Sequence, residues 1–336
     1  MHIVLVGNPA FDSLEFHLAD ACCALGHTAE IIDTAGTLPL LRKLTYWAGR
    51  FVAPYDRSRM QQLASRIARR QPDLVLVVYR HLHPALTDAL RQQCPGAVLA
   101  QINPDHVANL ENQQILAADF DHYFTKEPYM AAFMRDKAGL NAHYLPEAFN
   151  PRVHRRPAGT KADAERITDI DVLVFGGLYA YRARMVEQLQ RAGLRVTLYA
   201  QPGPYLKPAL RSTFQPRYLV GPEKNRQLYG ARIVFNNFHY AEISSANQKY
   251  FEINGIGGFQ LCDHKDTLDS YSAVPAEQVT FRSMAEAIDL IRYYLARPDE
   301  RHALAEQQYA HFQAHHTVDQ RMAQLLAITH PQLASQ

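Results

Sequence analysis

Residues Val172 to Met185 read VLVFGGLYAYRARM. An unbroken apolar run ends at Phe175, two glycines follow, and a helical pattern starts near Tyr181. Apolar residues without polar alternation suit a strand covered on both faces, which is the state of a parallel sheet. Gly176 and Gly177 permit a tight turn and close backbone approach, and the helix N-terminus behind them offers N–H groups to an anion. Arg182 or Arg184 can add charge-assisted contacts to a diphosphate, although solvated arginines on an ordinary βα turn read the same way.

The same step recurs outward in both directions. Downstream, RVTLYA, ARIVFNN and GFQLCD read as strands, SMAEAIDLIRYYLARP as a helix, and the tail from Asp299 to about Thr329 as helical. Upstream, HIVLVG, AEIID, DLVLVVY and AVLAQIN are strands alternating with the helical patterns LEFHLADACCALG, RMQQLASRIARRQ and HPALTDALRQQ, and DHYFTK closes the series. Between them NPRVHRRPAGTKADAERITD, about Asn150 to Asp169, has little apolar periodicity and reads as a linker. The expectation is an α/β protein of two Rossmann-like domains facing across a cleft, residues 1–160 and 161–336, with a C-terminal helix able to cross back to the first. A chain of 336 residues is long enough for two such cores.

Composition narrows the class. With 47% apolar and 20% charged residues the chain reads as a soluble globular protein. Its 35 basic and 33 acidic residues leave a net charge of +2, which argues against general nucleic-acid binding but leaves open the glycosylation of a modified base. Cys22, Cys23, Cys94 and Cys262 form no CxxC and read as reduced core thiols of a cytoplasmic protein. MHIVLVGNPAF lacks the basic start of a signal peptide, and no apolar run nears the roughly 20 residues that cross a bilayer. LPLLRKLTYWAGRF, Leu38 to Phe51, mixes basic and apolar residues and suits either peripheral membrane contact or a helix packed on its own domain.

The polar candidates fall where strands end. In IVFNNFHYAEISSANQKYFEINGIGGFQLCD, Ile233 to Asp263, a strand ends in Asn236 and Asn237, and NQKYFEIN reads as a short helix before three glycines. Glu252 on that helix has two acceptor oxygens, which suit the adjacent hydroxyls of a ribose. Lys249, one turn earlier, can reach phosphate or pair with Glu252. Gly257 and its neighbours are either turn chemistry or a place where a ligand meets the backbone. In QINPDHVANL, Asp105 and His106 follow a strand and can accept a proton at neutral pH. His81 and His83 in YRHLHP stand in the same relation to DLVLVVY. No GxGxxG occurs at Gly7 or Gly176, so NAD loses support. His311 and His315 have helical metal-ligand spacing but no acidic or cysteine partner nearby, and read as solvated.

The run KYFEINGIGGFQLCD, with DVLVFGGLYAYR, LYGARIVFNN and HHTVDQRM, resembles the CgeB-like, spore-maturation-type glycosyltransferases. The likeness spans about Asp171 to Met322 and is weak in the first half. It implies a GT-B fold and metal-independent transfer of a hexosyl or deoxyhexosyl group from a UDP-, dTDP- or GDP-sugar, used as co-substrate with no other cofactor. By matching position, Glu252 would hold the donor ribose and Gly176, Gly177 and Arg182 would lie near the diphosphate, with Asn236, Lys249 and Gly257 beside them. Asp105, His106 and His81 would serve the acceptor side if transfer inverts. The acceptor, whether glycan, lipid-linked, protein or small molecule, is not specified. Lys249 stands where the family usually has Arg, so a bidentate fork becomes a point charge. The first glutamate of the E-x7-E motif has no match, and Glu242 is not its equivalent. A non-catalytic nucleotide or glycan-binding protein, and a GT-B nucleotide-sugar epimerase, are the alternatives.

Overall fold

The computed structural model describes residues 1–33, 52–78, 83–103 and 115–332. The chain divides into two compact units, Met1–Pro146 with Ala241–Ile243 and Val318–Gln336, and Glu147–Tyr240 with Ser244–Thr317.

In the first unit β1 (His2–Val6), β2 (Thr28–Ile32), β3 (Leu74–Val77), β4 (Val98–Asn103), β5 (His122–Thr125) and β6 (Ala142–Tyr144) form one sheet in the order β2-β1-β3-β4-β5-β6. Every pairing is parallel. The helices α1 (Leu14–Ala24), α2 (Ala53–Ala68), α3 (Ala85–Gln93) and α4 (Pro128–Asp136) intervene. All of β3, LVLV, is buried, as a strand with helices on both faces must be. The series does not close at DHYFTK: α4 and the three-residue β6 extend it. Their signals are weak because so short a strand has no readable period. The last helix, α11 (Val318–Thr329), belongs to this unit and packs on α1. Glu242 also belongs here, where its carboxylate meets Lys126 Nζ at 2.8 Å.

In the second unit β7 (Ile170–Phe175), β8 (Val196–Tyr199), β9 (Phe214–Gln215), β10 (Ala231–Asn236), β11 (Gln260–Asp263) and β12 (Thr280–Phe281) pair in the order β12-β11-β10-β7-β8-β9. Counted within the unit, this is the doubly wound order whose ligands lie outside the carboxyl ends where the order reverses. That switch point falls between β7 and β10, registered Val172 to Ile233 and Leu173 to Val234. Strand alternation divides the core: Val172, Val174, Ile233 and Phe235 face one helical layer, and Leu173, Phe175 and Val234 face the other. The helices are α5 (Lys161–Thr168), α6 (Ala180–Arg191), α7 (Gly221–Gly230), α8 (Gln248–Ile256), α9 (Met284–Leu295) and α10 (Pro298–His315).

Polar segments of the second unit also depart from the sequence reading. Part of the expected linker is α5, capped by Thr160 and packed on α7. Its polar appearance comes from a buried ion cluster, in which Glu165 meets Arg301 at 2.7 Å and Lys161 at 3.4 Å. GPEKNRQLYG also forms a helix, α7, that apolar periodicity did not mark.

All four cysteines are free, and Cys23 is exposed rather than in the core. Burial, with Cys23 adjacent, pushes the Cys22 thiol up to about 12. No helix among the described residues is long and apolar enough to cross a membrane. The Leu38–Phe51 segment lies outside the described residues.

Candidate functional site at the switch point of the second unit

β7 ends at Phe175, and Gly176 follows with φ of 98°, a left-handed conformation that favours glycine. A second constraint acts on the same residue. Lys249 crosses from the first turn of α8 and donates from Nζ to the Phe175 carbonyl at 2.6 Å. Its ammonium lies 4.6 Å from the Phe175 ring centroid, and a Cβ on Gly176 would stand 2.5 Å from Nζ. The glycine therefore makes room for the lysine, and a cation is held against the turn that leaves the sheet.

A side-chain amide network places α8. Asn247 caps the helix, its Oδ1 accepting from the Tyr250 N–H at 2.9 Å. Asn236, the last residue of β10, exchanges amide hydrogen bonds with Asn247 at 3.1 and 3.0 Å. Asn236 also donates to Gln260 Oε1 at 2.9 Å, and Gln260 Nε2 donates to the Tyr250 carbonyl at 2.8 Å. The start of α8 is thus tied to β10 and β11 near the crevice, with its N–H groups and Lys249 at one place.

Arg182 is buried and cross-links the two strand ends. Its Nε donates to Asn237 Oδ1 at 2.8 Å, its Nη2 to the Asn237 carbonyl at 3.2 Å, and its Nη1 to the Gly177 carbonyl. It borders the expected diphosphate position but acts on the protein backbone, bracing the turn after β7 against the loop after β10. Asp263, at the end of β11, accepts from the Phe238 N–H and holds that same loop.

Glu252 lies one turn beyond Lys249, with its side chain only 7% exposed. Its Oε2 is 3.2 Å from Lys224 Nζ and its Oε1 is 3.4 Å from His154 Nε2. His154 Nδ1 accepts from the Asn150 N–H at 3.0 Å, so a neutral ring carries its proton on Nε2, directed at the carboxylate. Lys224 Nζ approaches the same Nε2 at 3.2 Å. Lys224 and His154 carry no sequence motif. One stands in the helix that periodicity missed and the other in the stretch read as linker, so only residue type marked them.

The glycines after Glu252 do other work. Gly257 has φ of 88° and stops α8: its N–H bonds Asn254 at 3.0 Å and the Gly258 N–H bonds Ile253 at 2.9 Å. A Cβ on Gly255 would stand 2.3 Å from the Phe149 ring. Gly257 thus lies at the far end of α8 from Lys249, just before the amino end of β11. His316 and Thr317 of HHTVDQRM are buttresses too. His316 packs on Phe251, Tyr271 and Phe312, its carbonyl accepts from the Phe149 N–H at 3.2 Å, and Thr317 bridges Phe149.

The crevice thus brings together Gly176, Gly177, Arg182, Asn236 and Lys249, with Glu252 one helical turn away. Asp105, His106 and His81 lie outside the described residues. His83 Nδ1 accepts from the Ala85 N–H at 3.0 Å at the start of α3. His311 and His315 stand with ring centroids 4.7 Å apart on α10.

No curated protein sequence matches this chain. The structure is similar to sucrose-phosphate synthase from Thermosynechococcus elongatus, with TM-score 0.70 and 14% identity over 100% of both chains. It is similar to a glycosyltransferase from Rickettsia africae, with TM-score 0.67 and 12% identity over 98% of this chain and 97% of that one. Anabaena HepE in complex with UDP gives TM-score 0.67 and 11% identity over 100% of both chains. The model of the glycosyl transferase-like family matches residues 182–327, which hold Arg182, Asn236, Lys249 and Glu252. With its two six-stranded parallel Rossmann-like sheets and these structural neighbours, the protein has the GT-B fold.

Proposed function

We propose that the protein is a glycosyltransferase that moves a hexosyl or deoxyhexosyl group from a nucleoside diphosphate sugar to an acceptor hydroxyl. The observation that carries this reading is the Lys249 ammonium held against Gly176 at the β7–β10 switch point, beside the capped N-terminus of α8. An ammonium and a helix N-terminus together suit a diphosphate and stabilise its charge as it departs. Glu252, oriented by Lys224 and His154, accepts the ribose hydroxyls. In the transfer the acceptor oxygen bonds to the anomeric carbon, the bond from that carbon to the diphosphate oxygen breaks, and the nucleoside diphosphate leaves. Asp105, His106 and His81 are the residues to test as acceptor of the hydroxyl proton. The leaving diphosphate is stabilised by Lys249 and α8, so a divalent metal is not required, and chelator leaves turnover unchanged. The uridine donor is favoured because Anabaena HepE is described in complex with UDP and with UDP-glucose.

The test is thermal stabilisation by UDP, dTDP and GDP and by their sugars. A ligand at 100 times its Kd adds about 2.7 kcal/mol to stability. Lys249→Ala abolishes the gain while keeping the melting temperature of the free protein. If no nucleotide or nucleotide sugar stabilises the wild type, the donor reading fails.

A further inference from the structure

Four aromatic rings stand at the mouth of this crevice, and none of the roles above uses them. Tyr179 immediately precedes α6 and Tyr181 stands in its first turn, while His239 and Tyr240 come from the loop after β10. Tyr179 and Tyr181 stack with centroids 5.7 Å apart and planes 4° apart. His239 meets Tyr179 edge-on at 5.4 Å, Tyr181 meets Tyr240 edge-on at 6.0 Å, and the His239 and Tyr240 rings lie 4.2 Å apart. Large apolar rings are usually covered, yet Tyr240 is 79% exposed and Tyr179 is 47% exposed. Tyr181 and His239 are half-buried, and the exposed Tyr179 and Tyr240 leave an amphipathic aromatic face open near the carboxyl ends of the two switch-point strands.

We propose that this face binds the pyranose ring of the donor, a subsite that rests on the donor reading above. The order of groups across the crevice sets which part of a nucleotide sugar reaches it. Glu252 lies one turn along α8 from Lys249, Lys249 rests on Gly176, and the next residue, Gly177, has the Tyr179 ring 3.4 Å from the position of a Cβ. A ribose at Glu252 and a diphosphate at Lys249 and Gly176 therefore direct the remaining moiety, the sugar, towards Tyr179 and its neighbours. The C–H-bearing face of a pyranose is weakly positive and stacks on the negative face of an aromatic ring, while phenol and imidazole groups meet its hydroxyls. A nucleobase also stacks on such rings, but in this order it lies on the ribose side of Lys249.

The experiment is calorimetric titration of wild type, Tyr179→Ala, Tyr240→Ala and the double variant with UDP, UDP-glucose and UDP-galactose. The variants fold, since both side chains are exposed, and an unchanged melting temperature verifies it. Each lost ring weakens a UDP-sugar by roughly three- to tenfold and leaves UDP affinity unchanged. Equal weakening of UDP and UDP-sugars assigns the rings to the nucleobase and overturns the proposal. Unchanged affinity for all three ligands overturns it as well. A wild type that binds none of them sinks the choice of a uridine donor instead, so the two failures are told apart.

Discussion

Lys224 and Glu252 form an ion pair of 3.2 Å with side chains only 4% and 7% exposed. The pair joins the start of α7 to the middle of α8, and His154 closes it from a third side. Removing one partner of a buried pair leaves an uncompensated charge, at a cost of about 3–5 kcal/mol. Glu252→Ala and Lys224→Ala should each lower urea-unfolding stability by that amount. Lys224→Met with Glu252→Leu should recover most of it. A loss under about 1 kcal/mol in either single variant would contradict the pairing. Glu252 is therefore poorly tested by Ala alone, and the nucleotide affinity of the double variant, which carries neither charge, separates ribose binding from folding.

Gly176 is held to glycine by both its conformation and its neighbour. Gly176→Ala adds about 1–2 kcal/mol of left-handed strain and drives a methyl into Lys249. Nucleotide affinity should fall at least tenfold, a change that equilibrium dialysis with radiolabelled UDP measures directly. Lys249→Arg, which restores the fork found in the resembling family, should keep most of the affinity. Equal loss in the Arg and Ala variants would show that the lysine supplies shape rather than charge.

Gly257 should behave in the opposite way. Its φ of 88° and the Arg156 side chain, 2.7 Å from an added Cβ, make Gly257→Ala costly to α8. The melting temperature should drop with about 1–2 kcal/mol of lost stability, while UDP affinity below the transition stays at the wild-type value. An affinity loss at unchanged melting temperature would put this residue back in the donor site.

Lys161 gives a pH signature. Burial lowers its ammonium from 10.5 to about 8, against the opposing pull of Glu165. Below that pH both folded and unfolded chains carry the proton, and the buried charge weighs against folding. Between about 8 and 10.5 the unfolded chain still binds a proton that the folded one has released, so stability rises with pH. At about 1.4 kcal/mol per pKa unit the rise is on the order of 3 kcal/mol. The difference between wild type and Lys161→Met, followed by denaturation from pH 7 to 10.5, should carry this slope. A flat difference would show that Lys161 keeps its charge.

The βα alternation was readable because each strand of a doubly wound sheet is covered on both faces, which leaves unbroken runs such as LVLV and VLVF. Gly176 and Asn236 could be placed for a related reason: in such sheets, residues at the ends of strands gather at the carboxyl ends. Short or polar elements were not. β6 and β9 have too few residues for a period, and α5 hides its burial in ion pairs that look like a solvated linker.

Local patterning was therefore enough for the fold class, the strand ends and the helix that carries Lys249. It could not assign work among the glycines, because Gly176 and Gly257 share a left-handed backbone and differ in what lies against them, a lysine at one and an arginine at the other. Nor could it join Glu252 to Lys224 and His154, which stand 28 and 98 residues away in the chain. Such contacts depend on how distant helices pack, and packing follows from the whole set of side chains rather than from any one stretch.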